Sequence, residues 1–367
     1  MKIIFDHQKF TTQKYGGISR YFVNLALNLY KLNNEVKIIA PLFKNKYLLE
    51  LPKNIVIGKH IKFEKNYLSR AIFNLNNQFS KVYSLKINPD IIHETYFSSF
   101  PIIRSKGKRV LTIYDMIHEK FPNSFNANDP TSKLKKDAIM RADHIISISD
   151  STKNDLIDIY GVKSNKITTI HLSWSPSILN KSFPKKENLF KKPYLLYVGD
   201  RNGYKNFYSL LKAFSLSKRI NDNFNLIAFG SKPFNNEEYQ QMNDMNIDIN
   251  KVVHLTGDDN LLSSLYQNAQ AFIFPSQYEG FGIPPLEAMI NSCPVISSNT
   301  SSMPEVIDNA AEYFDPKSLD NLIYAIENVV FSDSRKKELI KLGQERVSSF
   351  SWEKCAKETL RLYQSLN

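Results

Sequence analysis

The amino-acid sequence predicts an α/β protein made of two doubly wound domains. The chain has 367 residues, which is enough for two domains of ordinary size. Its 42% of hydrophobic and 23% of charged residues are typical of a soluble globular protein. Short apolar runs rich in β-branched residues alternate with stretches of helical periodicity, and this alternation restarts after residue 193. Two such units in succession predict two parallel sheets that face across a cleft and bind ligands at the carboxyl ends of their strands.

The first half begins as a strand, a helix and a strand. The runs MKIIFDH and EVKIIAP predict the strands, and Phe22, Leu25 and Leu29 recur between them at helical spacing. Further strands are predicted at PDIIHE, KRVLTIYD, HIISIS and KITTIHL. A helix should follow HIISIS, with Asp150 or Ser151 as its N-cap and Gly161 ending it in the left-handed conformation.

A linker and a second α/β half are predicted next. Residues 173–193, SWSPSILNKSFPKKENLFKKP, have no periodicity. Strands then follow at YLLYVG, FNLIAFG, KVVHLTG, AFIFPS and PVISS, with helices at NFYSLLKAFSL, at LLSSLYQNA and after IPPLEAM. The last segment, FSWEKCAKETLRLYQSLN, is an amphipathic helix that should pack back on the first domain. The expected division is residues 1–180, 181–350 and 351–367.

The positive charge of the chain is concentrated in its first half. The net charge is +12, but residues 1–192 carry 32 Lys and Arg against 15 Asp and Glu, whereas residues 193–367 carry 16 against 21. This predicts an anionic partner for the first half, unless the lysines only keep the chain soluble. Nucleic acid, an anionic membrane and a phosphorylated substrate all qualify, although no nucleic-acid recognition motif is present. Residues 65–86 mix apolar and basic residues and either lie on an anionic membrane or form an ordinary domain helix.

Other bulk features favour the cytoplasm. No apolar run approaches the ~20 residues that span a bilayer. The start MKIIFDHQKF lacks the hydrophobic region of a signal peptide. The only two cysteines, Cys293 and Cys355, are far apart, which suits a reducing compartment.

Two strand-to-helix junctions carry candidate ligand-binding residues. Arg201 and Lys205 precede a helix that begins near Asn206, where the helix dipole and free amides favour phosphate oxygens; the alternative is a solvated basic loop. Gly16 and Gly17 would let the backbone approach a ligand closely, unless they form only a flexible turn. The latter pair is not the GxGxxG fingerprint, so a nicotinamide enzyme is disfavoured.

The stretch FPSQYEGFGIPPLEAM places Glu279 and Glu287 on either side of a tight turn. Pro284 and Pro285 suit the first turn of a helix, and Glu287 is expected in that same turn. Between the two carboxylates, residues 281–283 offer backbone amides. Carboxylates accept hydrogen bonds from hydroxyls and amides donate to phosphates, so the pattern matches a sugar nucleotide, which has hydroxyl-rich rings at both ends of a diphosphate. The alternatives are a glutamate that complements the helix dipole and a solvated loop acid.

Together these motifs resemble the retaining glycosyltransferases of family 4, which have the GT-B fold of two Rossmann-like domains. The two glutamates are separated by seven residues within EGFGIPPLEAM. The other segments that carry the resemblance follow one another along nearly the whole chain: YGGISRYFVNLA, PDIIHETYF, LTIYDMIHE, RADHIISISDSTKNDL, YVGDRNGYKNFYSLLKAF, PVISSNTSSMPEVIDNAAEYFDP and FSWEKCAKETL. The chain is most similar in character to bacterial transferases that build O-antigen or capsular chains, many of which transfer mannose.

The resemblance implies a role for each candidate residue. Glu279 would contact the donor sugar, Glu287 the ribose hydroxyls, and Arg201 and Lys205 the diphosphate leaving group. The donor would also be held by the amides of Phe281, Gly282 and Ile283 and, from the other domain, by Gly16 and Gly17. Members of the family often carry a sugar-facing histidine where this chain has Tyr114, so the candidate contacts to sugar or acceptor are Tyr114, Asp115, His118 and His93. No Asp-x-Asp triplet occurs in the sequence, so neither a catalytic metal nor another cofactor is expected.

The implied reaction moves a hexosyl unit to a saccharide acceptor with retention of configuration. The sugar expected first is mannose, with GDP-mannose as the donor. The first domain would bind the acceptor, carried on a lipid pyrophosphate at the cytoplasmic face of the membrane, and the second domain the donor. Three alternatives remain: a transferase of the same fold that uses a UDP-sugar, a GT-B sugar-nucleotide epimerase, and a nucleic-acid-binding protein that uses the basic half.

Overall fold

A computed structural model describes residues 1–62, 66–84, 86–174, 190, 192–201, 203–230 and 232–367, without the side chains of 66 and 67. The chain forms two compact units. The first unit comprises Met1–Lys120, Phe125–Ser173 and Ser351–Asn367, and the second comprises Phe121–Ser124 and Trp174–Phe350. The expected boundary between residues 180 and 181, and most of the expected linker, lie outside the described residues.

The first unit is built on a seven-stranded parallel sheet. Its strands are β1 (Lys2–Phe5), β2 (Glu35–Phe43), β3 (Val56–His60), β4 (Ile91–Glu94), β5 (Lys108–Ile113), β6 (His144–Ser147) and β7 (Ile167–Thr169). The spatial order is β3-β2-β1-β4-β5-β6-β7, and every pairing is parallel. The six strands predicted in this half are confirmed. The edge strand β3 was missed, because its residues are mostly half-buried or exposed and leave no apolar run to read.

Within the described residues, the α-helices of this half are α1 (Gln8–Thr12), α2 (Gly17–Lys31), α3 (Asn66–Ser84), α4 (Ile117–Lys120), α5 (Thr131–Arg141) and α6 (Asp150–Tyr160). The predicted stripe Phe22, Leu25, Leu29 is fully buried on α2. The N-cap of α6 is Ser149, whose hydroxyl accepts the Thr152 N–H at 3.0 Å. The prediction of Asp150 or Ser151 was wrong by one or two residues, because only Ser149 has the extended backbone of a cap.

The second unit is a six-stranded parallel sheet with the order β10-β9-β8-β11-β12-β13. The strands are β8 (Tyr194–Val198), β9 (Asn225–Phe229), β10 (Val252–Leu255), β11 (Ala271–Phe274), β12 (Val295–Ser298) and β13 (Ala311–Phe314). The helices are α7 (Phe207–Leu216), α8 (Lys218–Asn223), α9 (Asn236–Asp244), α10 (Asp259–Asn268), α11 (Ile283–Ile290), α12 (Met303–Ile307), α13 (Leu319–Val330) and α14 (Asp333–Val347). Phe207, Leu210, Leu211 and Phe214, which recur at helical spacing on α7, are part of the buried core. The two doubly wound parallel sheets predicted from the sequence are confirmed.

The C-terminal helix α15 (Trp352–Leu366) belongs to the first unit, where it packs on α2. Its buried residues Cys355, Ala356, Thr359, Leu362 and Tyr363 lie on one face. Among the described residues, none of the helices combines the length and the apolar character that crossing a bilayer needs.

Candidate functional site

The two loops that carry Lys205 and Glu279 meet at the middle of the second sheet. The chain runs outward from β8 through β9 to β10 and then returns to β11, which pairs with β8 on its other side. The carboxyl ends of β8 and β11 are therefore adjacent, and the crevice at such a reversal of strand order is where doubly wound sheets bind ligands. Lys205 follows β8 and Glu279 follows β11.

Lys205 and Glu279 form a close ion pair in this crevice. Lys205 Nζ lies 2.6 Å from Glu279 Oε1, and the two side chains are 20% and 11% exposed. Burial lowers the pKa of Lys205, but Glu279, with smaller contributions from Tyr204 and Asp200, outweighs that effect and leaves the pKa raised. The lysine is therefore a stable ammonium. Because the pair is only partly exposed, its charges are weakly screened by water. It combines a donor suited to phosphate oxygens with an acceptor suited to sugar hydroxyls.

The backbone of the Lys205 loop is fastened to the Glu279 loop. The Gln277 N–H donates to the Tyr204 carbonyl oxygen at 2.7 Å. The amide group of Asn206 donates to the carbonyl oxygens of Pro275 and Pro316, at 3.1 and 3.2 Å. Asn206 has a left-handed backbone with φ of +59°, which asparagine tolerates better than most residues. These contacts fix the start of α7 against the ends of two other strands.

Two serines from the loop after β12 hold the turn that contains Glu279. Ser301 Oγ accepts the Glu279 N–H at 2.9 Å. The buried Ser302 Oγ lies 2.9 Å from the Glu279 carbonyl oxygen and 3.0 Å from that of Phe281. Neither serine was among the candidate residues predicted from the sequence. The dipeptide Ser-Ser after a predicted strand was the available signal, since serine commonly bonds to the backbone of neighbouring loops.

Gly282 is required at the end of this turn. Its φ is +103°, a conformation that side chains with a Cβ rarely adopt. A Cβ at this position would also lie 2.9 Å from the Met303 side chain. In the part of the chain that the structure describes, no group accepts the backbone N–H of Gly282 or of Ile283. These two predicted donor-binding amides therefore remain available.

Glu287 lies on α11, but not in its first turn. The helix begins at Ile283 with Pro284 and Pro285 in its first turn, as predicted. Glu287 is the fifth helical residue, so its expected position in the first turn was wrong, because the helix starts before the two prolines. The Tyr266 phenol lies near this carboxylate, and its pKa is raised well above the usual value by burial first and by Glu287 second.

Arg201 is engaged by the protein itself. Its side chain is 4% exposed, and its Nε and Nη2 lie 2.5 and 3.1 Å from the two carboxylate oxygens of Glu238 on α9. Nη2 also donates to the carbonyl oxygens of Lys232 and Pro233, at 2.8 and 3.3 Å. Of the three guanidinium nitrogens of Arg201, only Nη1 is buried without a hydrogen-bond partner among the described residues. The Arg201 guanidinium therefore braces the loop before α9, and Nη1 is its remaining donor.

In the first unit, His93 lies inside the protein. It has no exposed surface, its Nδ1 lies 2.6 Å from the Tyr363 hydroxyl oxygen, and its Nε2 lies 2.8 Å from Thr112 Oγ1. Burial lowers its pKa to about 3, so the imidazole is neutral. The prediction that His93 contacts sugar or acceptor is corrected, because both ring nitrogens are used in joining α15 to the central strands.

Tyr114 and Asp115 follow β5 at the carboxyl edge of the first sheet. The Tyr114 hydroxyl is buried and has no hydrogen-bond partner among the described residues. Burial raises its pKa well above the usual value, so the phenol keeps its proton and remains a donor. Asp115 is 31% exposed and lies 4.0 Å from the ammonium group of Lys135. One of its carboxylate oxygens caps the Ile117 N–H at 3.1 Å.

The other predicted residues of the first unit occupy local positions. His118 stacks on Phe125 with 3.8 Å between ring centres, and its Nε2 is 3.8 Å from Asp129. Gly16 is the N-cap of α2, and Gly17 begins the helix with open space where a Cβ would be. Among the described residues, no cluster of three or more His, Cys, Asp or Glu side chains is placed to hold a metal ion.

Comparisons with known proteins identify the family. The model of "Glycosyltransferase Family 4" matches residues 15–173, and that of "Glycosyl transferases group 1" matches residues 180–346. O-antigen chain mannosyltransferase B of Escherichia coli is 30% identical over 230 residues, which are 60% of each chain. O-antigen chain mannosyltransferase RfbU of Salmonella typhimurium strain LT2 is 32% identical over 240 residues, 64% of each chain. The match thus spans less than two thirds of the length of these two relatives.

A solved structure extends the likeness to the whole chain. The sucrose-phosphate synthase of Thermosynechococcus elongatus superposes with a TM-score of 0.73 over 100% of this chain and 99% of its own, at 20% identity. At this identity the match shows the fold, which is that of GT-B glycosyltransferases. Since the two family models together match most of the sequence, the chain belongs to glycosyltransferase family 4.

Proposed function

We propose that the protein transfers a mannosyl unit from GDP-mannose to a saccharide acceptor, with retention of anomeric configuration, in the synthesis of a surface polysaccharide. The observation that carries the proposal is the Lys205–Glu279 ion pair at the reversal of strand order in the second sheet. The names of two relatives, both O-antigen chain mannosyltransferases, support mannose and polysaccharide synthesis.

In this mechanism the protein mainly stabilises the leaving group. The bond between the sugar's anomeric carbon and the phosphate oxygen breaks, and the developing charge on the nucleoside diphosphate is met by the Lys205 ammonium and by Arg201 Nη1. The acceptor hydroxyl attacks the same face of the oxocarbenium-like sugar and passes its proton to a departing phosphate oxygen. Glu279 accepts hydrogen bonds from sugar hydroxyls, and Glu287 from the ribose. We propose no metal or other cofactor for the reaction.

A product assay tests this function. The purified protein is incubated with GDP-mannose, or with a UDP-hexose in parallel, with and without a lipid-pyrophosphate-linked saccharide. The proposal expects GDP release only when the acceptor is present, and an α-linked mannosyl product by NMR. If UDP is released from the UDP-hexose but no GDP is released from GDP-mannose, the alternative of a transferase that uses a UDP-sugar is favoured. Conversion of a sugar nucleotide into its epimer without any acceptor would show instead that the protein is a sugar-nucleotide epimerase.

We further propose that the acceptor is lipid-linked and that the protein meets it at an anionic membrane surface through α3. This helix carries Arg70 and Lys81 and no acidic residue. Four apolar side chains lie along its outer side and are 38 to 62% exposed: Leu68, Leu75, Phe79 and Val82. Its opposite side, with Ile72 and Asn76, is buried. A basic helix with an exposed apolar stripe is suited to the interface of an anionic bilayer.

Vesicle sedimentation at low salt tests this surface. We expect the protein to sediment with vesicles that contain phosphatidylglycerol and much less with pure phosphatidylcholine vesicles. The double substitution Leu75→Gln and Val82→Gln should abolish the difference. The matched control is Leu216→Gln, since Leu216 is 65% exposed on the second unit. Equal sedimentation with both kinds of vesicle, or an unaffected double variant, would reject the membrane surface.

A further inference from the structure

The first sheet has its own reversal of strand order, between β1 and β4. The chain runs from β1 to β2 and β3 and then returns to β4, which pairs with β1 on the other side. The loops after β1 and β4 therefore meet at the carboxyl edge, where ligands of doubly wound sheets bind. The candidate site residues chosen from the sequence include none from either loop.

A buried carboxylate fastens these two loops together. Asp6, directly after β1, is 1% exposed. Its oxygens accept the backbone N–H and the side-chain amide of Gln8, each at 3.0 Å, and the N–H and hydroxyl of Thr95 after β4. The Gln8 side chain also donates to the Tyr96 carbonyl oxygen at 2.8 Å. With both loops bound to one carboxylate, Lys9 and Tyr96 next to them are held side by side.

Lys9 projects an ammonium group that the protein satisfies only in part. Its Nζ lies 3.1 Å from the centre of the Tyr96 ring, and this ring stacks on Phe97 at 4.4 Å. Among the described residues, no oxygen accepts a hydrogen bond from Lys9 Nζ, although the side chain is half-buried. Burial lowers the pKa of Lys9 to about 8, against the opposing effect of the Asp115 carboxylate. An ammonium has three donors, and the hydroxyl oxygens of a ligand would complete its hydrogen bonds.

Two further polar groups, those of Asp115 and Tyr114, follow β5 at the same edge of the sheet. The Asp115 carboxylate is 31% exposed, and the buried Tyr114 hydroxyl has no partner among the described residues. Burial first and the Asp115 carboxylate next raise the pKa of the Tyr96 phenol to about 12, and Tyr96 is in turn one of the groups that raise the pKa of Tyr114. A cation, a carboxylate, a phenol and an aromatic ring thus lie near one another at this edge of the sheet.

We propose that Lys9, Tyr96, Asp115 and Tyr114 form the subsite for a neutral glycosyl residue of the acceptor, in which the Lys9 ammonium and the Asp115 carboxylate hydrogen-bond to sugar hydroxyls. A hydroxyl both donates and accepts, so one sugar serves both charges. A phosphate would satisfy only Lys9 and would face Asp115, with Glu119 and Asp129 also near Tyr96. The assignment to the acceptor rests on the proposed function, whereas binding of a neutral sugar does not.

Direct binding without any donor tests the subsite. Saturation-transfer NMR compares mannotriose with mannose 6-phosphate on the wild type and on Lys9→Met, Lys9→Arg and Asp115→Asn. We expect mannotriose to bind the wild type, to bind Lys9→Met about 10- to 100-fold more weakly, and to be largely restored by Lys9→Arg, since a hydrogen bond to a charged group contributes about 1.5–3 kcal/mol. The matched control Lys14→Met, at an exposed lysine of the same unit, should bind normally.

Dependence on pH separates a direct contact from a structural role. The titratable groups that face Lys9 are Tyr96 and Asp115, and Tyr96 with a pKa of about 12 keeps its proton in this range. Mannotriose affinity of the wild type should therefore fall as the pH rises through about 8, where Lys9 loses its proton. In Lys9→Arg the fall should vanish. Stronger binding of mannose 6-phosphate, no binding of mannotriose, or equal affinity of Lys9→Met would overturn the proposal, whether or not the transfer assay succeeds.

Discussion

Replacing Lys205 with alanine is expected to lower kcat about 30- to 1000-fold. The Lys205 ammonium is the cation placed at the carboxyl ends of β8 and β11, and its charge is maintained by Glu279. Loss of one charged hydrogen bond to a developing anion costs about 2–4 kcal/mol in the barrier. Lys205 contacts the diphosphate already in the bound donor, and the charge on the diphosphate grows as the glycosidic bond breaks, so the loss in kcat should come in addition to weaker binding of the donor. Steady-state kinetics with GDP-mannose measure it.

Two controls make the Lys205 result interpretable. Lys212→Ala removes an exposed lysine from α7, close in sequence, and should leave kcat unchanged. Lys205→Arg keeps the charge with a different shape and should recover part of the activity. A folded Lys205→Ala protein, judged by its melting temperature, that turns over at a normal rate would remove this residue from the mechanism.

Glu279→Gln is expected to lower kcat about 100-fold while the protein stays folded. Glutamine preserves the size of the side chain and a carbonyl oxygen within reach of Lys205, but it removes the negative charge beside the reacting sugar. The Glu279 side chain is 11% exposed, so its charge is weakly screened by water. In such a site a carboxylate stabilises a cationic transition state more strongly than it would in water. The KM for the donor should change less than kcat, because the ground-state sugar is neutral.

The control for this substitution is Glu237→Gln, which alters an exposed acid on α9 of the same unit. The double variant Lys205→Ala with Glu279→Gln should lose less than the product of the two single losses, since residues in contact do not act independently. An unchanged kcat in Glu279→Gln would show that the carboxylate has only a structural role.

The sequence was sufficient to predict the two sheets and to single out Lys205 and Glu279 as candidates, but not the contact between them. Buried parallel strands leave continuous apolar runs, which is why β8 and β11 were readable. Glu279 and Lys205 were each recognised from their junctions. That they touch across 74 positions follows only from the pairing of β8 with β11.

Residues whose role depends on distant partners could not be assigned from local patterns. Arg201 was expected on the diphosphate, yet most of its donors are taken by Glu238, 37 positions away, and by nearby carbonyl groups. His93 was buried by Tyr363, which is 270 residues further along the chain. Lys9 belongs to no motif, and its importance arises from the pairing of β1 with β4 and from the carboxylate of Asp6.

The most direct test of the account is a calorimetric titration of GDP-mannose into the wild-type protein and the Lys205→Ala variant without acceptor. The account predicts saturable binding to the wild type, at least tenfold weaker binding to Lys205→Ala, and unchanged binding to Lys212→Ala. When the free concentration of GDP-mannose is 100 times its dissociation constant, binding should add about 2.7 kcal/mol to the free energy of unfolding of the wild type. Equal affinity of the wild type and Lys205→Ala, or no binding of GDP-mannose and of any UDP-hexose, would contradict the claim that β8 and β11 end in a nucleotide-sugar site.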